Sequence, residues 1–320
     1  MSPSARSSGS KKVVYAGIFA NTAIACVKYL AALSTGSSAM MAEAIHSSVD
    51  IGNEILLLIG MRRSGKPADP LHPYGYGKTL YFYSLLVAIY IFALGSGLTI
   101  YRGISRILNP SIPENVGWSY GVLVASAAFE FYSWRISYRE LKKRKDPDEG
   151  VFDEVIGSKD PTVFTVFLED SAGMIGTVIA FLGILLGAIF RNPYLDPAAS
   201  ILIGLLLAGV ALLLARETGA LLIGERTNRA RIRTIESIIS DDSAVEQIGE
   251  LLTMQLGPGQ ALLTARVTFK RSLSVQQVEG SIARLKNQIR KEEPAMERIY
   301  IEPDSLGSQE NEHPHSGTDG

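Results

Sequence analysis

A stripe of four polar side chains recurs in an otherwise apolar segment: Glu43, His46, Asp50 and Asn53. In a helix, His46 and Asp50 are one turn apart, so their side chains share a face. An imidazole nitrogen and a carboxylate oxygen are two of the ligands with which proteins bind Zn²⁺. Ionisable side chains are costly inside a membrane and usually belong to an ion or proton pathway. The stripe therefore predicts a divalent-metal site at membrane depth.

A second pair of acids, Glu169 and Asp170, lies in another apolar segment, which begins at Pro161. Small residues follow the pair, and small residues allow two helices to approach closely. If this segment meets the first one, His46 and Asp50 gain one or both acids as neighbours. Three or four nitrogen and oxygen ligands of this kind suit Zn²⁺ or, with less selectivity, Mn²⁺, Co²⁺ or Fe²⁺.

The alternative interpretation of these polar residues is a buried ion-paired network that only fastens helices together, with Lys28 or Arg135 as its cation. Acids outnumber bases in these segments, so a metal ion would balance their charge. Glu130 is either part of a proton pathway or the ion-pair partner of one of the two bases. Glu54 could be an entrance acid, but a solvated charge at a helix end is the favoured interpretation.

The elements that must position these residues are membrane helices. Hydrophobic residues make up 47% of the chain and charged residues only 20%, which is unusual for a soluble enzyme. Three windows without charge are about long enough to cross a hydrocarbon core of ~30 Å: Leu80–Tyr101, Gly173–Phe190 and Pro197–Ala215. Three further spans are indicated at Val13–Leu33, Ala39–Met61 and about Val116–Ser137. The sequence thus predicts six transmembrane helices.

Lysine and arginine residues cluster on one side of this six-span arrangement, at residues 6–12, 62–78 and 139–145. The positive-inside rule therefore predicts that both termini are cytoplasmic. A bacterial plasma membrane is the default expectation for the location. The net charge of −1 gives no indication of nucleic-acid binding, and the single cysteine, Cys26, excludes a disulfide framework.

The chain becomes polar after about residue 216. Helical and strand patterns alternate there at Asn228–Asp241, Glu246–Gln255, Ala261–Lys270, Val275–Lys291 and Ala295–Pro303. The order αββαβ predicts a small α+β ferredoxin-like domain. We expect a core of Val267, Phe269, Ile299 and Ile301.

The predicted organisation has four parts. Residues 1–12 form a disordered N-terminus, and 13–216 form the six-helix transmembrane domain. Residues 217–305 form the cytoplasmic ferredoxin-like dimerisation domain, and 306–320 form a disordered tail. The cytoplasmic domain contains no histidine, because His313 and His315 both fall in the tail.

Several of these segments resemble the cation diffusion facilitator (zinc transporter) family: Met41–Asp50, Pro67–Lys78, Glu169-Asp170 and Asp196-Pro197. The resemblance covers about residues 11–305. It implies a homodimeric transporter, joined through the cytoplasmic domain and membrane helices, that exports Zn²⁺ or a similar ion in exchange for protons. It implies neither an enzyme activity nor a cofactor.

The transport site that this resemblance implies has a pair of ligands on the second helix, here His46 and Asp50, and a matching pair on the fifth. Asp170 aligns with the aspartate of the fifth helix, but the residue four positions earlier is Val166, which cannot bind a metal. Glu169 lies ~100° around the helix from Asp170. The chain is similar to a branch that carries this Glu-Asp pair. Either Glu169 swings in, or the fourth ligand is water, Glu43 or Asn53, and fewer nitrogen ligands weaken a preference for zinc.

The loop between the second and third helices resembles a further metal site of the family at Asp69 and His72. Some family members have a histidine where this chain has Tyr76. Two ligands would make only a weak site, so a structural role in the loop is favoured.

Three functions remain open at the level of the sequence. The first is proton-coupled export of Zn²⁺ by alternating access, and its variant is export of Mn²⁺, Fe²⁺ or Co²⁺ by the same fold. The second is a non-transporting membrane metal sensor or scaffold, suggested by the incomplete motif at Val166. The third, an enzyme, is disfavoured, because no nucleophile–base pair, phosphate loop or redox motif accompanies the candidate ligands.

Overall fold

The computed structural model describes residues 21–144 and 159–304. The chain forms two compact units, Met1–Leu222 and Ile223–Gly320, each of which has its own core. The segments 1–12 and 306–320, predicted to be disordered, lie outside the described residues.

The first unit is helical. Its described helices are α1 (residues 21–35), α2 (Ser38–Ser64), α3 (Lys78–Leu108), α4 (Gly117–Arg144), α5 (Pro161–Phe190) and α6 (Leu195–Ile223). Helix α3 contains a π-helical segment at Ile91–Ser96. Helix α2 packs against α3 and α5, and α4 packs against α5.

Three of the described helices are long and apolar enough to cross a membrane by length and composition: α3, α5 and α6. Helices α2 and α4 have comparable lengths of 27 and 28 residues but carry several charged side chains. The three additional spans therefore stay a prediction.

Local sequence fixes where the helices begin. The Ser37 side chain caps α2 by accepting a hydrogen bond from the backbone N–H of Met40 at 3.0 Å. Helix α5 begins at Pro161, where the sequence placed the start of the apolar segment. The Asp160 carboxylate accepts a hydrogen bond from the N–H of Thr162, and the proline lies in the first turn. These two starts set the helical phase of both polar segments.

The second unit contains a three-stranded sheet and two helices. Its elements are α7 (Arg229–Ser240), β1 (Val245–Gly257), β2 (Gln260–Phe269), α8 (Val275–Glu292) and β3 (Met296–Asp304). The strands lie in the order β1-β2-β3. Strands β1 and β2 are antiparallel, and β2 pairs in parallel with β3 after the α8 crossover.

The core expected for this unit is confirmed. Val267 and Phe269 of β2 are buried, as are Ile299 and Ile301 of β3. They pack with apolar side chains from α7 and α8 in one cluster. Alternate residues of β2 supply the inward face, as the pleat of a strand requires.

Candidate metal centre

A polar cavity of about 190 Å³ lies between α1, α2, α4 and α5. Side chains from all four helices line it: Asn21, Ile24, Ser47, Asp50, Glu54, Phe129, Glu130, Ser133, Val166, Glu169 and Asp170. The predicted meeting of the second and fifth helices therefore occurs, and it brings three acids of the candidate site to one cavity.

His46 lies behind the cavity wall next to Asp50. Its Nδ1 is 3.5 Å from Oδ1 of Asp50, and its side chain is 5% exposed against 30% for the aspartate. Neither of these two buried atoms has a hydrogen-bond partner among the described residues. Buried polar atoms are nearly always satisfied, so an unpartnered nitrogen and oxygen side by side call for an explanation such as an ion.

Gly173 of α5 allows this position of His46. A Cβ atom at residue 173 would lie 2.9 Å from Nε2 of the imidazole, which is closer than side chains tolerate. The small residue seen in the sequence therefore serves close approach of the histidine to α5.

Glu169 is held by Asn53 of α2. The Asn53 side-chain amide donates to Oε1 of Glu169 at 2.7 Å across the helix interface. Asn53 is buried, and its Oδ1 has no partner among the described residues. Glu169 thus points towards α2. It lines the same cavity as Val166, so it is placed to supply the ligand that the valine cannot provide.

Asp170 faces α4 instead. Its carboxylate accepts hydrogen bonds from the hydroxyls of Ser133 at 3.0 Å and Ser137 at 2.9 Å. No pattern used to predict the site from the sequence pointed to these two serines. Their spacing of four residues on α4, which places both hydroxyls on one helical face, is the signal that could have found them.

Glu43 belongs to a separate layer of the same interface. Nζ of Lys28 lies 3.0 Å from Glu43 and 2.9 Å from Glu130, and the Thr177 hydroxyl lies within hydrogen-bond distance of both carboxylates, at 3.0 and 2.8 Å. The interpretation of Glu130 as an ion-pair partner of Lys28 is therefore confirmed. Glu43 as a fourth metal ligand is disfavoured by its own ion pair.

Glu54 lies in the cavity wall, one turn from Asp50. Its carboxylate accepts a hydrogen bond from the side chain of Asn21 on α1 at 2.6 Å. This position favours an entrance acid over the solvated helix-end charge expected from the sequence.

The candidate ligands do not converge on one point. Within residues 21–144 and 159–304, no three His, Cys, Asp or Glu side chains are close enough together to hold a metal ion. The helices bring Asp50, Glu169 and Asp170 to one cavity. However, Glu169 is hydrogen-bonded to Asn53 on α2 and Asp170 to the two serines on α4, so the carboxylates point in different directions. Rotations of the Glu169 and Asp170 side chains would be needed to complete a site with His46 and Asp50.

The loop before α3 is organised by its own hydrogen bonds. Asp69 accepts from the backbone N–H groups of Leu71 and His72, and from the Tyr76 hydroxyl at 2.6 Å. The bond from Tyr76 holds the pKa of the Asp69 carboxyl below its usual value. Nδ1 of His72 lies 3.4 Å from Asp69, and its ring packs on Tyr76. The exposed carboxylate is engaged by the loop itself, which favours the structural role.

Comparison with known proteins also points to the transport of metal cations. The model of the cation efflux transmembrane domain matches residues 14–223. The chain is 32% identical over 262 residues to a human protein named proton-coupled zinc antiporter SLC30A9, mitochondrial, covering 82% of this chain and 46% of that protein. It is 31% identical to metal tolerance protein C4 of Arabidopsis thaliana, over 83% of this chain and 59% of that protein.

A third relative matches over almost its full length. The manganese efflux system protein MneP of Bacillus subtilis is 24% identical, with 91% of this chain and 95% of that protein covered. By contrast, the chain spans about half the length of the first two relatives. The alignments therefore leave large parts of those two proteins unmatched.

Proposed function

The chain belongs to the cation efflux family, also called the cation diffusion facilitator family, and on that premise we propose that it exports a divalent metal cation, with Zn²⁺ as the preferred ion, in exchange for protons. The observation that carries the proposal is the unpartnered pair formed by Nδ1 of His46 and Oδ1 of Asp50 at the cavity. A cation between them would satisfy both atoms.

The proposed site consists of His46, Asp50, Glu169 and Asp170. Glu169 takes the place that Val166 leaves vacant, because it lines the cavity and already reaches α2 through Asn53. Asp170 completes the site by turning from Ser133 and Ser137 towards the cavity centre. One nitrogen and three carboxylates form a harder ligand set than the nitrogen-richer sites that select zinc. Mn²⁺ is therefore the alternative cargo, and one relative is named for manganese efflux.

Coupling to protons follows from the ligands themselves. Metal binding requires a neutral imidazole and ionised carboxylates, so protons and metal compete for the same atoms. Alternating access would expose the site in turn to the two sides of the membrane. A proton taken up on one side would then displace the ion there and leave on the other side.

The wider architecture is part of the proposal. We assign six transmembrane spans, α1 to α6. Helices α2 and α4 are included because they match the apolar helices in length and contribute acids to the cavity. The αββαβ order and mixed sheet of residues 223–304 support a ferredoxin-like domain that serves dimerisation. Clustered Lys and Arg residues support cytoplasmic termini. One relative is named as a mitochondrial protein and another comes from a plant, so these two give no support to a bacterial membrane.

A second candidate function is a membrane metal sensor or scaffold. It is favoured by one observation, the lack of three converged ligands in the described part of the chain. A sensor needs to bind metal but not to release it on the other side.

Flux measurements distinguish the two candidates. Full-length protein in liposomes, under an imposed proton gradient, is supplied with Zn²⁺ or Mn²⁺, and uptake is followed for the native chain and for Asp50→Asn. We expect gradient-dependent Zn²⁺ uptake that the substitution abolishes. Binding without uptake of either ion would establish the sensor, and uptake that survives in Asp50→Asn would refute the site.

A further inference from the structure

The cluster of Lys28, Glu43, Glu130 and Thr177, called the deep cluster below, already holds a cation. The ammonium of Lys28 is fully buried and lies within 3.0 Å of an oxygen of each carboxylate. Two carboxylates share this one ammonium, so the ionised cluster carries one uncompensated negative charge. A divalent cation in place of the ammonium would bring the charge of the two carboxylates to zero.

One oxygen of the deep cluster remains available for a ligand. Oε1 of Glu43 is buried and has no hydrogen-bond partner among the described residues, although the side chain is completely enclosed. It points at Gly176 of α5, where an added Cβ atom would lie only 2.7 Å away. Gly176 therefore accommodates the close approach of an oxygen that has no hydrogen-bond partner among the described residues.

The deep cluster is continuous with the cavity. Glu130 belongs to both, since its carboxylate bonds Lys28 and Thr177 and its side chain also lines the cavity. Glu130 and His46 face the same residue, because an added Cβ at Gly173 would meet Nε2 of His46 at 2.9 Å and Cδ of Glu130 at 3.5 Å. Glu130 therefore lies near the Nε2 edge of the imidazole whose Nδ1 faces Asp50.

We infer that Glu43, Glu130 and Thr177 form a second divalent-cation position, which the ammonium of Lys28 fills and thereby closes to a second metal ion. The inference rests on the proposed export function, because it assigns the metal to the cavity and the lysine to the next position along the same interface. The ligands are all oxygen, so this position suits Mn²⁺ better than the cavity site, which has a nitrogen ligand. Lys28 is a positioning residue that limits the protein to one bound ion.

The test is metal stoichiometry in Lys28→Met, which keeps the approximate length of the side chain and removes its charge. Full-length native and variant proteins in detergent are dialysed against Mn²⁺ or Zn²⁺, and bound metal is measured per chain. We expect Lys28→Met to bind one more ion per chain than the native protein, with the gain larger in Mn²⁺. Lys28→Arg, which keeps the cation, should show no gain.

Matched controls identify where the additional ion binds. In the triple variant Lys28→Met/Glu43→Gln/Glu130→Gln the gain should disappear, because the carboxylates are neutral amides of the same shape. In Lys28→Met/Asp50→Ala one ion should remain when the cavity site is lost. Unchanged binding in Asp50→Ala alone would refute the cavity site, whereas an absent gain in Lys28→Met would refute only the deep position.

Stability provides the second readout, since removal of Lys28 leaves two carboxylates without a cation. Thermal unfolding of Lys28→Met should shift upwards on addition of Mn²⁺ by more than that of the native protein. If Lys28→Met folds neither with nor without Mn²⁺ while the triple variant folds, the carboxylates do not form a cation position and the inference is overturned.

Discussion

Two aspartates on the α2 interface differ in how completely their oxygens are used. Asp196 of α6 accepts four hydrogen bonds at the start of α2, from the hydroxyls of Ser37 and Ser38 and from the N–H groups of Ser38 and Ala39. Asp50, three turns further along α2, leaves Oδ1 without a partner next to an equally unpartnered imidazole nitrogen. The same residue type is therefore saturated in one region and open in the other.

Under the proposed function, the difference separates a structural carboxylate from a binding one. The N-terminus of a helix offers N–H donors and a positive dipole end, both of which favour a carboxylate at Asp196. The cavity around Asp50 instead gathers further acids, and Oδ1 of Asp50 has no hydrogen-bond donor among the described residues. Such a site gains its stabilisation only when a cation arrives.

Replacing Asp50 should give the largest effect on transport. Asp50→Asn keeps the size of the side chain but removes a ligand charge, and we expect Zn²⁺ flux to fall by at least about 100-fold, because loss of a mere outer-shell partner already costs about 10–100-fold. Flux into proteoliposomes measures it. The midpoint temperature of thermal unfolding should stay the same or rise, since a carboxylate with an unpartnered oxygen is removed. A large drop in that midpoint would place Asp50 in the same class as Asp196.

Replacing Asp196 should give the opposite pattern. Asp196→Ala leaves several buried donors unsatisfied, and each costs about 1–3 kcal/mol, so the free energy of unfolding should fall by about 3 kcal/mol or more. Thermal unfolding in detergent measures the loss. Zn²⁺ affinity of the remaining folded protein should stay within about twofold of native. If Asp196→Ala had native stability but no longer bound Zn²⁺, the contrast between Asp196 and Asp50 would be wrong.

The sequence predicted the open region better than the saturated one. His46, Asp50, Glu169 and Asp170 were identifiable because ionisable residues are rare in apolar segments. The sequence predicted an apolar span from Pro197, but the carboxylate of the neighbouring Asp196 caps a different helix, 158 residues earlier in the chain. Such a contact depends on how α2 and α6 pack, which no local pattern encodes.

The orientation of each acid was also beyond the sequence. Glu169 and Asp170 are adjacent in the chain, yet one reaches Asn53 on α2 and the other reaches serines on α4. Helical spacing predicts that they point about 100° apart. It does not say which neighbour each one meets, and that is why Ser133 and Ser137 were missed.

Asp170 is intermediate between Asp50 and Asp196, because the two serines donate hydrogen bonds to its carboxylate. It therefore allows a further test of the contrast between the two aspartates. The double variant Ser133→Ala/Ser137→Ala removes the donors that orient the carboxylate, and we expect Zn²⁺ affinity to fall by about 10-fold. Calorimetric titration measures it, and Ser64→Ala at the exposed end of α2 is the matched control. Tighter Zn²⁺ binding in the double variant would mean that the serines only compete with the metal.

The loop residue Asp69 extends the comparison to an exposed carboxylate, where the smallest effect is expected. The Tyr76 hydroxyl lowers the pKa of Asp69 in the folded loop, so its contribution is present above the unfolded pKa of about 4 and is lost as the pH falls through the folded value. Tyr76→Phe removes this bond, yet at pH 7 the carboxylate stays ionised with or without it. Zn²⁺ flux at pH 7 should therefore remain within about twofold of native, because the change in pKa alters ionisation only in acid. A loss of flux as large as that in Asp50→Asn would show that Asp69 binds metal, and that saturation by hydrogen bonds does not distinguish a structural carboxylate from a binding one.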